Sequence, residues 1–404
     1  MKLNSTIAAI VLGLGTASVA SATNYIYITG STAARGAVYN SLAAGVGFDG
    51  GVAPSVIIAY GNANPANGSY QEFVGTIGGV QTIVKTAWSG SEAGVADVSG
   101  SGTENFLADP GTAGVPATTT TVSTSPTSGN LVASTVNLSL ADNALTYSRN
   151  PGSTAVQQGP IVVVPFVIVK NHTPGNDAAN GSAAWTNITS DQFKAVAKVG
   201  TDIGLFLGTA QKGYNVYLAG RDNLSGTRVN VFGETGFGIT STPQQIELNP
   251  GSGNPATTTL LLPAGNTPGT YYTALGQSSG GTLAKSLGDT SSAADLIADP
   301  SGNTPGFYVI AYLGLADDAT ATGSPYNAIN LSYNGVPYSA AAVENGTYAL
   351  WGNEYILSKA GSASNVTGLQ SALAANLQNH TDAYEIPLTS MLVKRSGPTS
   401  SPTY

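Results

Sequence analysis

The chain has 404 residues, no cysteine, and a net charge of -8 from 14 basic and 22 acidic side chains. That length suffices for two domains of ordinary size. The charge argues against nucleic acid or an anionic membrane as a partner, and the lack of thiols excludes a disulfide framework, a thiol nucleophile and a lipidated N-terminal cysteine. Only 9% of residues are charged, so Ser, Thr, Asn and Gly must carry the surface.

Lys2, the apolar run 7–14 and Ala20-Ser21-Ala22 read as a secretory signal peptide over residues 1–22, with the mature chain starting near Thr23. No later apolar run is long enough for a bilayer span, so a soluble exported product is expected. Residues 24–29 alternate and predict a strand. Gly30-Ser31-Thr32 then opens a helical stretch over 33–44, with Val38 and Leu42 on one face. A second strand is predicted over 56–60, and a hairpin over 73–77 and 80–88 around Gly78-Gly79. Ser89-Gly90-Ser91 leads into a short helix over 92–98. Residues 110–134 are rich in Thr, Ser, Gly and Pro and read as a long surface loop with no core of its own. A strand over 135–140 ends at Ala141-Asp142. Residues 161–169 are almost wholly apolar, as in a strand buried on both faces. Residues 188–199 carry Phe193, Val196 and Val199 at helical spacing.

A third strand, Gly/Ser turn and helix start follows. Residues 216–218 end an apolar strand, Arg221 comes next, and Ser225-Gly226-Thr227 precedes a helical segment from Arg228. A Ser or Thr caps free N–H groups at a helix start, a Gly admits close approach of the main chain, and the helix dipole adds positive potential. A guanidinium beside such a cap suits a small anion; an ordinary strand–turn–helix with a surface arginine has the same local pattern. Farther on, 249–270 reads as a second loop, 282–287 and 292–297 as helical fragments, and 307–313 as a strand in loose surroundings. A strand over 347–357 returns the chain to its first half, 366–377 is an amphipathic helix, 385–393 a last strand, and 396–404 a frayed tail. Alternating strands and helices predict an α/β fold.

With these three helix starts, an arginine and an export signal, the chain resembles the phosphate-binding proteins of the periplasmic type II solute-binding superfamily. The family's first motif, a strand followed by G-x-x-x-T-F, is matched by I-T-G-S-T-A, which aligns Thr32 with the threonine and Ala33 with the phenylalanine. Its G-S-S-G-G-V motif is matched by Gly90-Ser91-Glu92-Ala93-Gly94-Val95, aligning Ser91 with the ligand-binding serine. Its strand ending in S-D-A is matched by Leu140-Ala141-Asp142-Asn143-Ala144, aligning Asp142 with the ligand-binding aspartate; Asp97 competes for that role. Its R-x-D-G-S-G-T motif is matched at Arg221, Ser225, Gly226 and Thr227. The family's aspartate two residues past the arginine is Asn223 here, with Asp222 next door, which leaves the arginine's partner open.

The resemblance implies Thr32, Ala33, Ser91, Asp142, Arg221, Ser225, Gly226 and Thr227 as ligand-binding residues. Hydroxyls, backbone N–H groups and the two-pronged Arg221 would replace the water around phosphate. Hydrogen bonds to a charged group contribute roughly 1.5–3 kcal/mol each, so about five or six support micromolar binding. An ionised Asp142 would accept the proton of phosphate and reject sulfate, which has none at neutral pH; as a plain strand-end residue, Asp142 would do neither. Arg35 is either a second positive group at the site or a solvated helix-face residue. Trp88 and Trp351 read as packing residues. His172 and His380 lack metal-ligand spacing, so no metal is expected. Gly276-Gln277-Ser278-Ser279-Gly280 fits the G-x-S-x-G pattern, but its Gly/Ser surroundings favour a loop before a helix over an esterase elbow.

The expected architecture is a two-lobed type II periplasmic-binding-protein fold, with mixed sheets flanked by helices. Lobe 1 is expected over 23–167 and 351–404, lobe 2 over 168–350, and an anion cleft between them. The expected function is an exported, monomeric, non-enzymatic protein that captures inorganic phosphate for an ABC transporter permease, without cofactor, in the periplasm or outside the cell. The alternatives are a surface or matrix protein that keeps the fold, or a binder of another oxyanion.

Overall fold

The longest apolar run forms the central strand. The structure is a computed structural model; it describes residues 23–403 except 101, 151, 172–184, 209–214, 250–258, 262–275, 288–307 and 380–382. The signal-peptide reading, the helical reading of 292–297, most of the 249–270 loop and both histidines lie outside the described residues.

In chain order the main elements are β1 (Asn24–Gly30), α1 (Arg35–Ala43), β2 (Val56–Tyr60), β3 (Tyr70–Ile77), β4 (Val80–Ala87), α2 (Ser91–Ser99), β5 (Thr103–Leu107), β6 (Thr120–Val122), β7 (Leu131–Thr135), β8 (Leu138–Ala141) and β9 (Val156–Lys170). The second part of the chain adds β10 (Asn187–Ile188), α3 (Ser190–Val199), β11 (Thr201–Asp202), β12 (Asn215–Ala219), α4 (Gly226–Glu234), β13 (Gln245–Asn249), β14 (Thr259–Leu261), α5 (Gly280–Ser286), β15 (Tyr308–Gly314), α6 (Leu315–Thr322), β16 (Ile329–Tyr333), β17 (Trp351–Ser358) and α7 (Ser364–Leu377).

Apart from β5 and β7, which pair with each other as a separate two-stranded sheet, these strands build one large mixed sheet whose main order is β14-β13-β12-β15-β9-β17-β8-β1-β4-β3-β2-β6. Helices flank it, which makes the fold mixed α/β. β9 joins its two parts. Up to Pro165 it pairs antiparallel with β17, and from Phe166 onward with β15. Every residue of β9 from Ile161 is buried, as its apolar run requires. β1 lies parallel between β4 and β8, and β12 parallel between β13 and β15. The C-terminal ends of β1, β8 and β12 therefore open toward the turns that carry the candidate site residues.

Four readings are corrected. Residues 110–134 are not a plain loop: β6 pairs with β2 and β7 with β5, although the segment stays on the surface and only Val115 is buried, against Ile58, Leu107 and Ala108. Threonine favours strands as readily as loops, so composition misled. β15 is buried along its whole length rather than loosely surrounded, because strands lie on both of its edges. Residues 385–393 make only a bridge at Ile386 and a short 3-10 turn, Leu388–Ser390; Pro387 offers no N–H to a ladder. The tail is not frayed. Lys394 and Thr403 exchange two backbone hydrogen bonds of 2.7 and 2.8 Å, and Pro398 packs on Gly233.

Carboxyls with raised pKa values shape the pH dependence, among them the buried Glu72 and Asp318 and the half-buried Asp97. Burial pushes Glu72 up to about 7 against the opposing pull of Lys85, whose ammonium lies 2.7 Å away. Burial, reinforced by Glu104, pushes Asp97 up to about 6. Burial also pushes Asp318 up to about 6, opposed by Asn330 and helped by Asp317. Each folded value lies above its unfolded one, so the native state binds more protons between about pH 4 and 7. That stability is lost as pH rises through 6–7. Asp109, held below its usual value by Lys85 and Tyr25 despite burial, loses its contribution only at lower pH. The urea midpoint is expected to be higher at pH 5 than at pH 8, by an amount worth on the order of 1–3 kcal/mol. A midpoint that rises steadily to pH 8 contradicts this.

Candidate functional site

The first helix start lies where β1 meets β8. The Ser31 amide donates to the Leu140 carbonyl at 2.8 Å, and the Ser31 hydroxyl accepts from the Ala33 amide at 3.2 Å. Ala33 therefore spends its N–H within the turn. Thr32 is partly exposed beside it. A side chain on Gly30 would strike the Leu140 carbonyl at 2.1 Å, and Gly30 has φ +110°, so only glycine lets these strand ends meet.

Ser91, at the start of α2, donates its hydroxyl to the Asp142 carboxylate just past β8. The next amide, of Glu92, donates to the Leu224 carbonyl at 3.0 Å. Ser225 caps α4 by accepting from the Arg228 amide at 3.2 Å, and Thr227 donates weakly to the other Asp142 oxygen at 3.5 Å. Asn230, one turn along α4, donates to the Asp142 carbonyl at 2.7 Å. A carboxylate at a helix N-terminus is favourably placed against the dipole. The closest packing is at Gly226, where an added Cβ would stand 1.7 Å from Asp142 Oδ1 and 2.4 Å from Ser91 Oγ.

Asp142 is fully buried. Burial raises its pKa, while the Ser91 hydroxyl and the Arg221 charge oppose the rise. The competing Asp97 lies against Gly102 and Glu104 at the other end of α2. Arg221 is also buried. Its Nε donates to the Gln277 carbonyl at 3.1 Å and its Nη2 to the Ser278 carbonyl at 3.0 Å, and its own amide donates to the Tyr312 hydroxyl at 3.0 Å. The G-x-S-x-G segment thus cradles the arginine with carbonyls, while Ser279 caps α5. Asp222 turns away to accept from the Leu224 amide at 3.0 Å, and Asn223 is exposed.

The structure thus brings Ser91, Asp142, Gly226 and Thr227 into contact and gives Arg221 an electrostatic link to them. Two acids were missed. Asp317, in the first turn of α6, pairs with Arg35 at 3.8 Å. It also reaches Gly280, where a Cβ would stand 1.8 Å from Asp317 Oδ2 and 3.3 Å from Arg221 Nη1. Arg35 is therefore held across to the β15–α6 junction rather than solvated. Glu354, on β17, is fully buried, and its pKa is pushed well up by burial, by Asp142 and by Glu385. The strand predicted over 347–357 held a single acid, and that was the signal available for Glu354. Among the described residues, no group of His, Cys, Asp or Glu could hold a metal ion, and no helix is long and apolar enough to cross a membrane.

No family model matches the chain, and no curated protein does. Among the solved structures similar to it are three from phosphate transport. A protein assigned as the substrate-binding component of a phosphate ABC transporter, from Clostridium perfringens and with bound phosphate, is 11% identical at a TM-score of 0.40; the match covers 90% of this chain and 100% of that one. An ABC-type phosphate transport receptor from Vibrio cholerae is 15% identical at a TM-score of 0.39, covering 87% and 93%. PstS from Borrelia burgdorferi is 11% identical at a TM-score of 0.35, covering 87% and 92%.

Proposed function

We propose that this is an exported solute-binding protein that takes a small oxyanion, inorganic phosphate, into a cleft between two lobes and passes it to a membrane transporter. The observation that carries the reading is the meeting of Ser91, Asp142, Gly226 and Thr227 at the N-terminus of α4, with Arg221 close enough to act on the Asp142 charge. Segments this far apart in sequence have no local reason to converge. Residues 23–167 with 351–404 would form one lobe and 168–350 the other. The change of β9's partner at Phe166 supports that division. Opening would part α4 from β8 and free the Ser91 hydroxyl and the Glu92 amide for the anion. Arg221 would add a guanidinium, and Asp142 would accept the phosphate proton. The roles of Thr32, Ala33, Ser225 and Thr227 are part of the same proposal. Nothing in the arrangement calls for a chemical step.

One observation favours a second reading. The Ser91 hydroxyl, the Glu92 amide and the Ala33 amide already have partners within the chain. In a surface or matrix protein that keeps the fold without transport, those bonds would be the finished state. Isothermal titration of the chain from residue 23 separates the two. Phosphate is expected to bind with one site at micromolar or better affinity, and sulfate at least tenfold more weakly. Absence of heat with both anions would leave the second reading standing, and equal affinity would point to another oxyanion.

A further inference from the structure

Three charged side chains meet where the first helix start touches the β15–α6 junction. A Cβ on Gly314 would stand 4.0 Å from the Ala33 Cβ. Two residues on, Arg35 opens α1, and its Nη2 lies 3.8 Å from Oδ1 of Asp317, in the first turn of α6. That pair is a charge contact, too long for a hydrogen bond. Both side chains are largely covered, 15% and 12% exposed, so water and salt screen them less than a surface pair. The other Asp317 oxygen lies near Arg221. Oδ2 and Arg221 Nη1 stand 1.8 and 3.3 Å from one point, the position a Cβ on Gly280 would take. One carboxylate therefore serves two guanidiniums from distant parts of the chain.

Carbonyls orient Arg221 but do not neutralise it. Its Nε and Nη2 donate to the Gln277 and Ser278 carbonyls, which carry no net charge. Asp142 and Asp222 also feel the Arg221 charge; Asp317 is the acid that reaches Arg35 as well. Its neighbour Asp318 accepts from Asn330 at 3.1 Å and feels the Asp317 charge. Two local features favour the carboxylate where it is. Gly280 has no side chain to displace it, and the first turn of α6 offers the positive end of a helix dipole. An anion drawn in by the two arginines meets a negative charge already between them.

We propose that Asp317 is an internal counter-ion shared by Arg35 and Arg221, and that it sets how much negative charge the candidate anion site accepts. This rests on the oxyanion reading above and adds Arg35 and Asp317 to the same site. On the division into lobes proposed there, Arg35 belongs to one side of the cleft, and Arg221 and Asp317 to the other. Phosphate would draw on both arginines. Asp317 would weaken its hold, and more for the dianion than for the monoanion, since the repulsion scales with the ligand's charge.

Calorimetric titration of the chain from residue 23 with phosphate, at pH 6 and at pH 8, tests this. Asp317→Asn keeps the shape and removes the opposing charge. It is expected to bind phosphate at least fivefold tighter than the parent at pH 8, with a smaller gain at pH 6, where more of the ligand is monoanion. Arg35→Gln is expected to bind at least fivefold more weakly. The double variant leaves the net charge unchanged and should stay within threefold of the parent. Asp317→Asn binding no tighter than the parent would overturn the counter-ion and leave the oxyanion reading standing. So would a loss of affinity in both single variants, the mark of a merely structural pair. A parent that binds neither phosphate nor sulfate would overturn the oxyanion reading itself. The counter-ion is then read from stability: Asp317→Asn should lower the urea midpoint in dilute buffer, and high salt should close most of that gap. A midpoint equal to the parent's at low salt would overturn it.

Discussion

Gly226→Ala is expected to lower phosphate affinity at least 100-fold. The added methyl would occupy a point 1.7 Å from Asp142 Oδ1, 2.7 Å from its Cγ and 2.4 Å from Ser91 Oγ. Neither neighbour has room to yield. The Asp142 carboxylate is held by Ser91 and Thr227, and its backbone carbonyl by Asn230. Either the carboxylate leaves its place or α4 moves away from β8. Overpacking of this kind costs about 1–3 kcal/mol, so the urea midpoint should also fall while the fold persists. Gly368→Ala is the control. Gly368 is exposed within α7 with nothing near its missing Cβ. Its replacement should stabilise the chain by about 0.5–1 kcal/mol and leave binding alone. Unchanged phosphate affinity in Gly226→Ala would remove α4's N-terminus from the binding site.

Asp142→Asn is expected to separate binding from stability. Burial raises the Asp142 pKa more than Ser91 and Arg221 lower it, so the ionised form is disfavoured in the folded state. Glu92 nearby adds to the rise. An amide of the same shape removes that penalty, and the variant should be at least as stable as the parent at pH 8. Phosphate loses its proton acceptor and should bind at least tenfold more weakly. Sulfate gains a donor in place of a repelling oxygen, so the preference between the two anions should shrink to within about threefold. Paired calorimetry and urea melts check both halves. An unaltered preference would mean that Asp142 is a structural residue at a strand end, and that selectivity lies elsewhere.

The three strand–turn–helix units were legible from local pattern. The strand patterns at 24–29, 80–88 and 216–218 became β1, β4 and β12, and the Gly/Ser/Thr clusters after them lead into α1, α2 and α4, of which only α4 has the side-chain cap, from Ser225. Such features depend on neighbours within about four residues. The central strand was readable for a related reason, since an unbroken apolar run is stable only when both faces are covered.

What the donors do was decided by tertiary packing. Ser91 meets Asp142 across 51 positions, and Thr227 meets it across 85; no short-range pattern encodes such pairings. The same holds for Asp317 between Arg35 and Gly280, for Glu354 behind Asp142, and for the carbonyls of Gln277 and Ser278 that cradle Arg221. The segment over 110–134 and the C-terminal tail show the other side of this. Their polar composition describes the residues, but whether they pair depends on which strand edge or neighbouring segment they reach. The sequence by itself determined where helices begin and which strand lies at the centre, because hydrophobic period and capping act locally. Tertiary structure alone decided which buried polar groups face one another, because that depends on the path of the whole chain.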